Sequence, residues 1–130
     1  MGTLFGALAL SVGPLNAQEE RTTLDGVFTA EQAESGRAVY QKVCSACHTL
    51  DWYQGDALRS WNGGLVFDLF DIISAGMPQD NPGSLPRKDY VDVLAYILNL
   101  NGLPAGETPL PSGRSGLRAI LFKFEEGGTR

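Results

Sequence analysis

Cysteine and histidine are scarce in this chain: its 130 residues hold two Cys and one His, and methionine occurs only at positions 1 and 77. A structural zinc site wants four Cys or His ligands, so three such residues exclude it. Basic runs are missing as well. The formal charge is -5, and no stretch combines clustered Lys and Arg with aromatics, which argues against a nucleic-acid footprint. No segment alternates polar and apolar residues long enough for a sheet, which leaves an all-α class with long loops. Long apolar runs are lacking too: the run over residues 4–15 is only about a dozen residues, short of a stable membrane span. The length itself leaves room for one domain and little else.

The N-terminal run is followed by small and polar residues, the shape of a signal peptide over residues 1–17 with cleavage after Ala17. It departs from that shape in having no Lys or Arg before Arg21. Export to the periplasm is the expectation, with membrane association if the segment stays uncleaved. Residues 18–28 read as a polar linker. Charge is then divided unevenly. Residues 29–111 carry five basic against ten acidic side chains, and the extension 112–130 carries four against two. The acidic body is read first as a solubility feature and second as a field that steers a partner with a basic patch.

Three helices are predicted. Thr29 and Gln32 have capping-box spacing ahead of a helix in which Ala33, Gly36, Val39, Tyr40 and Val43 recur at helical intervals. Gly36 inside that helix costs about 1 kcal/mol relative to Ala and is best explained by another helix passing close above it. A second helix is expected over GGLVFDLFDIIS, ending near Gly76, with Val66, Leu69, Phe70 and Ile73 on one face. The third begins with Pro86 at its first position and stops at Gly102. Its apolar face runs through Tyr90, Val93, Leu94, Ile97 and Leu100, and Asp89, Asp92 and Asn99 mark its wet side.

Chemistry enters with VCSACHTL, where Cys44, Cys47 and His48 form C-x-x-C-H directly after a helix. This spacing is that of c-type haem attachment: two thiols three positions apart add to the vinyl groups of one porphyrin, and the next imidazole lies under the iron. A thioredoxin-like C-x-x-C would need a β-α-β setting that this chain lacks. If His48 holds one side of the iron, Met77 is nearly forced as the other ligand, being the one methionine besides Met1. It stands in a Gly- and Pro-rich loop, SAGMPQDNPGSLP, with little core to fill.

With these residues the chain resembles class I c-type cytochromes and is similar to the short monohaem domains that serve bacterial quinoprotein dehydrogenases. The likeness covers about residues 29–111: the helix with Gly36 and Tyr40 before VCSACH, the segment around Trp61, the loop MPQDNPGSL, and the helix YVDVLAYILNLNG. It implies a cytochrome c fold of three to four short helices wrapped around one covalent haem c. First and last helices would cross with Val93 and Tyr96 against Gly36 and Tyr40. It further implies that Trp61 points its indole toward a haem propionate, with Arg59 and Tyr53 as further propionate partners. One departure is the absence of proline between His48 and Met77. A proline carbonyl often receives the axial histidine N–H in this family, so some other carbonyl is expected to orient His48.

The function implied is single-electron transfer by a periplasmic carrier. It would act as a monomer or dehydrogenase subunit, meeting a quinoprotein dehydrogenase, a terminal oxidase or another redox protein in brief encounters. Two rivals stay open at this point. One is a five-coordinate haem peroxidase or ligand sensor, in which Met77 lies elsewhere. The other is a haem-free interaction module closed by a Cys44–Cys47 disulfide. The apolar patch at Leu117, Ile120, Leu121, Phe122 and Phe124 is expected to pack on the body.

Overall fold

Two helices meet at a residue without a side chain. In the computed structural model, which describes Gly2 and residues 20–127, α1 (Ala30–Val39) crosses α4 (Arg87–Leu100) at Gly36. A Cβ built there would lie 1.8 Å from the carbonyl oxygen of Asp92 and 2.9 Å from the Cβ of Tyr96. Only glycine permits this approach, which accounts for its place in a helix interior. The signal peptide expected over residues 1–17 lies outside the described residues, apart from Gly2.

Local chemistry sets the ends of both helices. Thr29 Oγ1 accepts from the Gln32 amide at 3.1 Å, closing the first turn of α1. The other half of the expected capping box is absent, because the Gln32 side chain pairs with the backbone of Leu110 instead. Its Nε2 donates to Leu110 O at 3.2 Å, and Leu110 N donates to its Oε1 at 2.7 Å. Gln32 thus ties the loop after α4 to the start of α1. Pro86 caps α4 from just outside rather than opening it. At the far end Gly102 takes φ +73°, and Leu103 N reaches back to Leu98 O at 3.2 Å, which stops the helix with a Schellman-type turn.

Asp92 corrects the expected wet side of α4. It is 2% exposed, because α1 covers it at the crossing, and Lys88 one turn earlier pairs with its carboxylate from the solvent side. Periodicity within one helix reports the face that meets the main core and misses a second face covered by a neighbour. Val91, Ala95 and Leu98 are buried as well, so α4 is enclosed on most sides. The second predicted helix, α3 (Val66–Gly76), buries Val66 and Phe70 as expected and adds Phe67, while Leu69 and Ile73 of the expected face are half-buried. Guanidinium groups of Arg114 and Arg118 lie 4.8 and 4.6 Å from the Phe67 ring centre.

Two short helices complete the set, α2 (Asp56–Arg59) and α5 (Arg114–Arg118). Among the described residues the all-α expectation holds, with five α-helices where three to four were foreseen and one small exception. Strands β1 (Arg21–Thr22) and β2 (Ile120–Leu121) pair in parallel, Arg21 with Ile120 and Thr22 with Leu121. The stretch read as a polar linker is therefore packed. Thr23, Val27 and Phe28 are fully buried, and so are Leu117, Ile120 and Phe122 of the C-terminal segment. The apolar patch near the C-terminus does pack on the body.

Candidate functional site

The sequence Y-Q-K-V-C continues α1 as a wider π-helical turn, Tyr40–Cys44, closed by Ser45 N donating to Tyr40 O at 2.9 Å. Such turns insert one extra residue into a helix and are frequent at functional sites. Here the turn delivers Cys44 into a tight return in which Cys47 N and His48 N both donate to Cys44 O, at 3.2 and 3.0 Å. The backbone of the three motif residues is thus gathered in one turn. Cys44 is half-buried and Cys47 exposed, and the two sulfurs are not joined. Burial pushes the Cys44 thiol above its ordinary value.

Tyrosines brace this return. The buried Tyr40 donates its hydroxyl to the His48 carbonyl at 2.7 Å, and its ring packs against Tyr96 of α4 at 5.7 Å. The expected neighbourhood of Gly36, Tyr40 and Tyr96 is therefore present, and the crossing positions the histidine backbone. A 3-10 turn, Leu50–Tyr53, then folds Trp52 and Tyr53 beside the imidazole, with ring centres 5.2 and 5.8 Å away. Tyr53 has its phenol pushed up to about 12, first by burial and further by the neighbouring Cys44 and Tyr40. Asn101 holds the turn in place by donating from Nδ2 to Tyr53 O at 2.7 Å.

His48 Nδ1 is buried and has no hydrogen-bond partner among the described residues. The substitute carbonyl expected for it is not found. Leaving a buried polar atom unpaired costs about 1–3 kcal/mol, and such orphans in folded chains call for a functional reason. Next to it Trp52 stands 67% exposed, one of two large apolar side chains so placed among the described residues. Two separate thiols, an adjacent imidazole with an orphaned nitrogen, and an uncovered aromatic beside it fit a covalently attached haem.

Met77 is anchored elsewhere, at the C-terminal end of α3. Its amide donates to Ile73 O at 2.9 Å, and its carbonyl accepts from the Tyr90 hydroxyl at 2.6 Å and from Gly83 N at 3.2 Å. The same Tyr90 hydroxyl, through Oη, also accepts from Leu85 N at 3.3 Å, so one buried tyrosine of α4 closes the whole 77–85 loop. Tyr90 counted in the sequence only as a core position. Nothing local foretold its hydroxyl role, since its partner lies thirteen residues away. Trp52 was likewise unmarked, and its signal would have been an aromatic pair four residues after the histidine.

Arg59 and Trp61 lie on the short stretch that ends α2 and leads into α3. Arg59 is exposed, with its guanidinium 5.6 Å from the Phe124 ring centre. Trp61 is half-buried against Phe122, ring centres 6.2 Å apart. Both side chains therefore rest on the C-terminal segment.

A helical fold around a C-x-x-C-H return defines a c-type cytochrome domain. The chain belongs to the family described as cytochrome c oxidase, cbb3-type, subunit III, whose model matches residues 31–97. No curated protein and no solved structure matches the chain significantly. A cytochrome c domain implies haem and fits an electron-transfer role. Among the described residues, no helix is long and apolar enough to cross a membrane.

Proposed function

We propose that this protein is an exported, periplasmic single-electron carrier with one haem c bonded through Cys44 and Cys47 and ligated by His48 and Met77. The reading rests above all on the return at Cys44 O, which holds the backbone of Cys44, Cys47 and His48 in one turn. When bound, the haem supplies an iron that passes between ferric and ferrous states, taking one electron from a donor and giving it to an acceptor.

The chain's own residues then have separable tasks. Cys44 and Cys47 would tether the cofactor. His48 would ligate its iron, and Tyr40 fixes the backbone that carries this histidine. Tyr53 and Trp52 stand beside the imidazole, with Tyr53 the more covered of the two. Met77 offers its thioether from a loop that Tyr90 keeps closed. Thioether ligation favours the reduced state and raises the potential relative to other axial pairs. In keeping with the resemblance, Arg59 would serve the haem propionates by its charge and Trp61 by its indole N–H. The domain occupies residues 29–111, after a cleaved signal over 1–17. Its partners are periplasmic redox proteins, a terminal oxidase in keeping with the family and a quinoprotein dehydrogenase in keeping with the resemblance.

The test is spectral. Protein purified from a host able to mature c-type haem keeps its haem after denaturation, and the ferric form shows the weak red band of Met ligation. Met77→Ala retains the haem, lowers the reduction potential and opens the iron to carbon monoxide and cyanide. A colourless product overturns the haem reading, and an unchanged potential in Met77→Ala removes that residue from the iron.

A further inference from the structure

We infer that Arg87, Arg114 and Arg118 form a docking surface for an acidic segment of a partner protein. Arg114 and Arg118 lie beyond residues 31–97, so the family match does not contain this surface. The inference does not rest on the haem reading.

The surface is built on two buried rings. Phe67 and Phe70 of α3 stand with ring centres 6.2 Å apart. Arg114 and Arg118, one turn apart on α5, bring their guanidinium carbons 4.8 and 4.6 Å from the Phe67 centre. Arg87, the first residue of α4, brings its own 4.5 Å from the Phe70 centre. Its Nε donates to Ser112 O, which ties the start of α4 to the loop before α5 and leaves the terminal nitrogens as donors. Leu117, fully buried, anchors α5. All three arginines are exposed. A cation over a ring face is attracted by the ring quadrupole, so long side chains that would otherwise sample many rotamers are held in place before any partner arrives.

The same arrangement gathers three like charges. Arg114 and Arg118 stand at i and i+4, a spacing at which like charges repel. None of the three has a carboxylate partner among the described residues, whereas Arg37 pairs with Glu34 and Lys88 with Asp92. Apolar side chains would cover the two rings without this repulsion, so the positive charge calls for a use of its own. Guanidinium forks match carboxylates through paired N–H donors, and three forks drawn from two segments suit several carboxylates at once. A protein segment fits better than an anionic bilayer. The extended negative plane of a bilayer would also meet Asp68 and Asp71, exposed on the helix that carries the rings, and a chain of net charge -5.

The experiment measures fluorescence anisotropy of a dye-labelled oligoglutamate peptide titrated with the full chain, purified from a host able to mature c-type haem. Oligoglutamine and vesicles containing phosphatidylglycerol are the other two probes. The parent binds oligoglutamate, loses affinity as ionic strength rises, and leaves oligoglutamine free. Arg87→Gln and Arg118→Gln each weaken binding by about two- to fivefold, the range of one exposed ion pair, and the double variant weakens it further. Arg37→Gln makes the same change in net charge and stays near the parent value, because Arg37 is already paired with Glu34. Arg87 and Arg118 belong to different helices, so if a denaturation curve shows Arg118→Gln to be unfolded, Arg87→Gln decides. Salt-insensitive or absent binding by the parent overturns the docking surface. Equal weakening in Arg37→Gln does so too, as does parent affinity in both patch variants with only stability lost. Binding to the vesicles without binding to oligoglutamate overturns it in favour of a membrane.

Discussion

The α1–α4 crossing and the terminal wrap stabilise the same domain by different means. At the crossing, two long helices come together at one glycine, and the contact lies inside the stretch that defines the family, residues 31–97. At the wrap, β1 and the 120–124 segment hold each other through backbone pairing around one buried threonine, and both lie outside that stretch. The crossing supplies the histidine side, through Tyr40 and Tyr96. The wrap supplies the Trp61 side, through Phe122. A cytochrome domain of this size has little core beyond its cofactor, and the second region adds apolar side chains, Val27, Phe28 and Phe122, where the family match ends.

The largest effect is expected from breaking the crossing. Gly36→Val places branched carbons where the Asp92 carbonyl oxygen stands 1.8 Å from an ideal Cβ, and that oxygen belongs to a helix backbone that yields only by separating the helices. A loss of about 3 kcal/mol or more in denaturant unfolding is expected, at the upper end of overpacking effects. Separation also moves Tyr40, so the backbone of His48 that it holds should lose definition, visible as a changed spectrum of any haem bound there. A Gly36→Val protein of parent stability would mean that the helices do not meet at this point.

The crossing was legible in the sequence because each of its signals is local: a capping threonine, a glycine at an interior helix position, and dense apolar spacing from Tyr90 to Leu98. C-x-x-C-H is local in the same way, and its three residues are gathered at one carbonyl as the motif requires. What escaped is what depends on a distant neighbour. Asp92 looked wet until α1 covered it, and Gln32 looked like a capping side chain until Leu110 came within reach. Two-residue strands carry no alternation to detect, so the segment before Thr29 read as linker although Thr23 pairs with Lys123 a hundred residues away. The orphaned Nδ1 of His48 belongs to this class too, since no spacing rule reveals the absence of an acceptor.

A middle-sized effect is expected at the wrap. Thr23→Val keeps shape and removes the hydroxyl, leaving Lys123 N without its acceptor and Lys123 O without its donor. Thr23 is fully buried while Lys123 is exposed, so the cost falls at the low end for unpaired buried groups, about 1–2 kcal/mol. The comparison sharpens through hydrogen exchange. In Thr23→Val the amides of Gly63 and Phe122 lose protection while those of α4 keep theirs, if the wrap opens as its own unit. Equal loss in both regions would show the domain to be a single cooperative block.

The smallest effect at neutral pH, and the most selective one, lies in the ring shell that joins histidine to the crossing. Tyr53→Phe is expected to change stability by less than about 0.5 kcal/mol at pH 7, because the phenol is protonated in both folded and unfolded chains there. Its consequence lies on the alkaline side. The folded phenol titrates at about 12 against an ordinary 10.0, because burial opposes the phenolate first and the charges of Cys44 and Tyr40 add to that. A raised folded value means that the unfolded chain releases its proton earlier, so the Tyr53 contribution is intact below pH 10 and is lost as pH rises toward 12. The parent chain should therefore show a steeper fall in unfolding free energy across that window than Tyr53→Phe. A thioether bond formed at Cys44 would remove one of the two charges and should move the phenol partway back. Identical alkaline profiles for parent and variant would place Tyr53 in solvent and detach the imidazole shell from the crossing that is held to support it.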